Sequence, residues 1–78
     1  MTKAQKALLE GLVAGEELRE HCYLGHYVYL GYVRVHVGAF KSVKRRGWIV
    51  DNAHNSYALT RVYTITAAGR AALKREEK

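Results

Sequence analysis

The sequence predicts a single α+β domain in the order helix–hairpin–helix–hairpin–helix, and three observations lead there. Apolar residues recur at three- and four-residue spacing within 2–14 and 36–46. β-Branched and aromatic residues dominate 17–35 and 48–65. Proline is absent, and Gly, Asn and Asp fall where these patterns change. At 78 residues the chain is about half a typical domain, so one domain over 1–78 is expected. With 49% hydrophobic and 26% charged residues it is too apolar for disorder.

The first helix runs from Thr2, its N-cap, to Ala14, with Leu8, Leu9, Leu12 and Val13 on one stripe and Gly15 as its stop. Tyr23, Tyr27, Val28, Tyr29, Tyr32, Val33 and Val35 then predict a hairpin with strands at 17–23 and 27–34, turning over Leu24-Gly25-His26. Four tyrosines exceed what one hairpin face of so small a protein can bury, so some rings should be partly exposed. From His36 to Arg46 the period is helical again. Val37, Phe40 and Val43 form the apolar stripe, with Val33 one turn earlier. Lys41 and Arg45 share the opposite stripe with Gly38 and Ser42, and Arg34 joins them if the helix starts early. Gly47 ends this helix after a Lys-Arg-Arg turn suited to the negative end of its dipole.

Trp48-Ile49-Val50 reads as a short strand, 51–56 as a turn-rich loop, and Tyr57 to Ile65 as a second strand. Thr66 is the expected N-cap of a last helix, Ala67 to Lys74. Gly69 falls in its first turn, where a close backbone contact would explain it.

The formal net charge is +6, with a sequence pI near 9.7, and it is unevenly distributed. Residues 1–20 carry three cations against four acids, whereas 21–75 carry nine Lys or Arg against Asp51 alone. Five of those cations, Arg34, Lys41, Lys44, Arg45 and Arg46, fall within thirteen residues that contain no acid. Dipole compensation accounts for two of them. The remainder points to a polyanion-facing surface.

The stretch FKSVKRRGWIV, a polar loop, then YTITAAGRAAL resembles the winged-helix pattern, in which a recognition helix is followed by a β-wing and a closing helix. The resemblance covers 37–73 and implies a winged-helix-like, DNA-binding domain acting in transcription regulation. In the first half, the Tyr-rich hairpin stands where a helix-turn-helix would have a second helix. Leu9-x-x-Leu12-x-x-Gly15, Phe40-Lys41, Val43-Lys44 and Tyr63-x-Ile65-Thr66-x-x-Gly69 are similar to the YjhX family, small bacterial proteins described as toxins.

On this reading Lys41, Ser42 and Arg45 face the major groove, and Gly38 permits close approach. Lys44, Arg46 and Arg34 contact phosphates. Arg61 and the Asn52, His54 and Asn55 loop form the wing. Trp48 and Phe40 are read as core. The nucleic acid is DNA rather than RNA, although exposed tyrosines can also stack on unpaired bases. The alternative is a protein-binding inhibitor or toxin-like module of phage or mobile-element origin that uses the Tyr-rich hairpin 17–35. Tyr23, Tyr27, Tyr29 and Tyr32 are also the expected homodimer surface.

Enzymatic activity is not expected, because no carboxylates pair at a useful spacing and Cys22 stands next to His21 on a strand, where neighbours point apart. Cys22, His26, His36 and His54 match no zinc-ligand spacing, and no cofactor is implied. No apolar run reaches the roughly 18 residues of a membrane span, and the N-terminus lacks the apolar segment of a secretory signal. A single cysteine allows no intramolecular disulfide, which fits a cytoplasmic setting.

Overall fold

The computed structural model describes residues 1–23, 25–53, 56 and 59–76. Among them run α1 (Lys3–Val13), β1 (Leu18–His21), β2 (Tyr27–Leu30), β3 (Val33–Arg34), α2 (Val37–Arg45), β4 (Ile49–Asp51), β5 (Thr60–Ile65) and α3 (Ala67–Glu76).

The helix ends follow from local chemistry. Thr2 and Gln5 form a capping box: the Thr2 Oγ1 accepts from the Gln5 backbone and the Gln5 Oε1 accepts from the Thr2 backbone. His36 caps α2 by accepting the Gly38 N–H at Nδ1 (3.1 Å). Thr66 caps α3 by accepting the Gly69 N–H (3.1 Å). α1 and α2 end alike. Gly15 and Gly47 take φ of 97° and 76° and donate back to Leu12 and Lys44, while Glu16 and Trp48 donate to Gly11 and Val43. These are Schellman motifs, which place a left-handed residue just past the helix.

The strands form one antiparallel five-stranded sheet in the order β3-β2-β1-β5-β4. Its register pairs Leu18 with Leu30 and Tyr63, and Ile49 with Ile65, so these side chains share one face. The three helices cover that face. Leu8 and Leu9 of α1, Phe40 and Val43 of α2 and Leu73 of α3 pack there against Leu18, Val28, Ile49 and Tyr63. The second face carries Arg19, His21, Tyr27, Tyr29 and Arg34. No helix among the described residues is long and apolar enough to cross a membrane.

Two expectations need correction. The strand anticipated at 27–34 is divided: β2 ends at Leu30, the chain turns at Gly31-Tyr32, and β3 folds back to pair Val33 with Leu30 and Arg34 with Tyr29. A longer β2 would run past Leu18, the first residue of β1, and leave its backbone unpaired. The turn instead satisfies both strands. In consequence Val33 does not extend the apolar stripe of α2, and Arg34 belongs to a strand. Nor do the two hairpins stand apart, since β5 pairs with β1 along its length. A two-stranded hairpin is marginal in water, and this pairing makes β4–β5 part of the core sheet, larger than a simple wing.

Candidate nucleic-acid interface

α2 is seated through Phe40, 1% exposed, whose ring meets Tyr63 edge-on (centroids 5.1 Å apart). With that face fixed, the 3.6-residue period turns Gly38, Lys41 and Arg45 to solvent. Among the described residues no acid pairs with Lys41, Lys44, Arg45 or Arg46; the cation pairs found are Arg19 with Glu17, Arg61 with Asp51 and the N-terminus with Glu76.

The anticipated contact residues do not form one surface. Lys41 and Arg45 are exposed and, among the described residues, unpaired. Arg46, exposed at the helix end, lies over the half-buried Trp48 ring (5.2 Å). Lys44 folds back, with its Nζ 5.4 Å from the Tyr63 ring centroid and 5.9 Å from that of Phe40. Ser42 is half-buried and its hydroxyl accepts from Gln5 Nε2, which spends it on the α1–α2 contact rather than on a groove. Arg34 lies across the sheet from α2, its guanidinium 4.9 Å from the Tyr27 ring centroid. Arg61 donates to Asp51 Oδ2 (3.1 Å) across the β4–β5 hairpin. Asn52 begins the loop, its N–H donating to the Val62 carbonyl (2.7 Å). His54 and Asn55 lie outside the described residues. The tyrosines divide as well: Tyr32 is fully exposed at the β2–β3 turn, Tyr23 and Tyr27 are exposed, and Tyr29 is half-buried with its ring edge-on to His21.

Sequence reasoning overlooked a second constellation. Glu20 faces the helices on β1 and is nearly buried. Its Oε1 accepts from the Tyr63 hydroxyl (2.8 Å), and its Oε2 meets His26 Nε2 at 2.6 Å. Burial raises the Glu20 pKa. The hydrogen bonds to His26 and Tyr63 and the Lys44 charge outweigh that and hold it below the usual carboxylate value. Burial and the carboxylate bond raise the Tyr63 pKa, so its hydroxyl remains a donor. The available signal was the register. Tyr63 pairs with Leu18, diagonal to Glu20 on the same face, but that pairing is invisible in a linear reading.

Because the folded Glu20 pKa is depressed, its contribution to stability is complete above the unfolded value, near 4.3, and fades as pH falls through the folded one. Tyr63→Phe removes a bond to a charged acceptor and should cost about 1.5–3 kcal/mol at neutral pH. That deficit should shrink as pH falls below the unfolded value and through the lower folded one, where the carboxyl takes up its proton. Thermal melts of both proteins across pH check this; a deficit that is constant with pH would show that Glu20 is not the partner that matters.

No protein-family model, no curated protein and no solved structure matches this chain.

Proposed function

We propose that this protein is a winged-helix-like nucleic-acid-binding module that docks on double-stranded DNA through α2 as a small regulator. The observation that carries the reading is the acid-free outer face of α2, where Lys41 and Arg45 stand one helical turn apart with no partner among the described residues. Ion pairs elsewhere neutralise Arg19 and Arg61; here, among the described residues, nothing does. An α-helix fits the major groove, and two cations on one stripe meet successive phosphates or base edges. The β4–β5 hairpin follows α2 directly, the position of a wing, which also supports the winged-helix likeness and, through it, the YjhX one.

The test is binding to duplex DNA, single-stranded DNA and RNA over a salt series. Non-specific affinity for the duplex should be about micromolar or weaker at physiological salt, with a steep salt slope. Replacing Lys41 and Arg45 together by alanine should weaken it more than tenfold. The slope of log K against log salt should flatten by roughly 1.8, at about 0.9 for each phosphate no longer neutralised. The melting temperature should be unchanged, since neither side chain is packed. Wild-type binding by the double variant would overturn the assignment.

A second reading is favoured by the far side of the molecule. Tyr23, Tyr27 and Tyr32 of the β1–β3 hairpins are exposed, an aromatic surface of the kind that anchors protein interfaces. A protein partner or a second copy there is compatible with DNA on α2. Loss of a partner or of self-association in Tyr27→Ala and Tyr32→Ala, with DNA binding intact, would support it.

A further inference from the structure

The β1–β2 hairpin brings three unlike ligand groups together. Glu20 and Cys22 alternate onto the same face of the strand. The pairing of Glu20 with Val28 and His21 with Tyr27, continued by one residue, sets His26 opposite Cys22 and diagonal to Glu20. The Cys22 N–H still donates to the Leu59 carbonyl (2.9 Å), so the thiol is held on a paired backbone although its side chain is exposed. One ligand atom from each of Glu20, Cys22 and His26 lies within 4.8 Å of the others.

We propose that Glu20, Cys22 and His26 form a site for one borderline-soft divalent transition metal, zinc being the reference ion. Tetrahedral bonds of about 2.0–2.3 Å to N, O and S place ligand atoms roughly 3.3–3.7 Å apart, within the spread observed here. The 2.6 Å contact between His26 Nε2 and Glu20 Oε2 holds a proton where the ion would sit. Metal entry widens this contact: the Nε2 proton moves to Nδ1 of a neutral ring, or to solvent from an imidazolium, and the thiol proton passes to solvent. Thiolate, imidazole and carboxylate together disfavour magnesium and calcium, which take oxygen ligands. Their combined charge of −2 balances the ion.

The carboxylate is oriented in advance. Tyr63 donates to Oε1 (2.8 Å), which leaves Oε2 turned toward His26, the kind of outer contact that conserves ligand geometry at metal sites. The Phe40 ring lies edge-on to His26 (centroids 6.4 Å apart) and backs the imidazole from the core side. Lys44 stands on the Tyr63 side and Arg61 is engaged by Asp51, so neither cation bonds the three ligands. Exposure of Cys22 and half-burial of His26 leave the fourth position to water.

The experiment titrates the reduced full chain with zinc by calorimetry and with cobalt by electronic absorption. The expected result is one ion per chain, with thiolate-to-cobalt charge-transfer and tetrahedral ligand-field bands. Cys22→Ser should abolish the charge-transfer band and weaken zinc at least tenfold without moving the metal-free melting temperature. His26→Ala should weaken zinc as much and alter the ligand-field bands. Uptake no tighter than in Cys22→Ser, insensitivity to His26→Ala, or one ion shared by two chains would overturn the proposal. DNA binding by the metal-free protein through Lys41 and Arg45 is a separate readout, so the two proposals fail independently.

Discussion

Replacing Phe40 with alanine is expected to unfold this protein at room temperature. Among the described residues its ring is the largest fully buried side chain, and it joins α2 to the sheet. It lies on Tyr63 of β5, backs His26 beyond β1, and fixes the rotation of α2 about its own axis. Truncating a buried Phe costs about 3–5 kcal/mol, because the transfer free energy is lost and a cavity remains. A single core of this size supplies roughly 3–5 kcal/mol of net stability. The variant should therefore give no cooperative melt and little near-ultraviolet circular dichroism. Phe40→Leu, which keeps most of the volume, should still fold and melt at a lower temperature. A cooperative melt of Phe40→Ala within a few degrees of the wild type would show that α2 is held by something else. This outcome contrasts with that expected for Lys41 and Arg45 on the same helix, where binding falls and stability does not.

Gly69→Ala is expected to destabilise although helix propensity says the reverse. Alanine is favoured over glycine in a helix by about 1 kcal/mol. At this position, however, a Cβ would lie 2.3 Å from the Trp48 carbonyl oxygen and 2.9 Å from Ile65 Cγ1. The carbonyl cannot retreat freely, because it accepts the Thr66 N–H (2.9 Å) at the junction between β4 and α3. Relieving the contact means moving α3 off the sheet edge, with Ala72 and Leu73 leaving the core. A net loss of about 2 kcal/mol is expected, which for a domain of this size lowers the melting temperature by roughly 8–16 °C. Ala71→Gly, at an exposed position of the same helix, should cost only about 1 kcal/mol. If Gly69→Ala were neutral or stabilising, the close packing of α3 on Trp48 would not exist in solution.

Gly69 reads as a close-contact residue from its position in a helical first turn, and the Trp48 carbonyl gives it its partner. Thr2, Thr66, Gly15 and Gly47 are legible in the same way, since capping is a property of a few consecutive residues. The apolar periods likewise locate Phe40 and Val43 in the core. Ser42 is misread because its place on the helix wheel does not reveal that α1 packs beside it and presents Gln5. Arg34 is misplaced by extending a helical stripe across a turn that pairing, not propensity, decides. In the linear sequence Cys22 and His26 merely flank a turn, and Glu20 is only one acid in an acidic segment.

Local sequence suffices for the helices, the Thr2 and Thr66 caps, the Gly15 and Gly47 stops, the α+β class, and the concentration of positive charge between Arg34 and Arg46. These depend on neighbours within one or two turns of chain, and hydrophobic period and capping chemistry report them directly. Assembly of the whole fold sets that two hairpins form one sheet, that Arg34 and α2 lie on opposite sides of it, and that Glu20 meets both Tyr63 and His26. Those outcomes rest on strand register and on which backbone groups would otherwise go unpaired. The β1–β5 pairing and the Glu20–Tyr63 bond are settled between residues some forty positions apart, where local propensity carries no information; the place of Arg34 and the Glu20–His26 contact follow from the register of neighbouring strands.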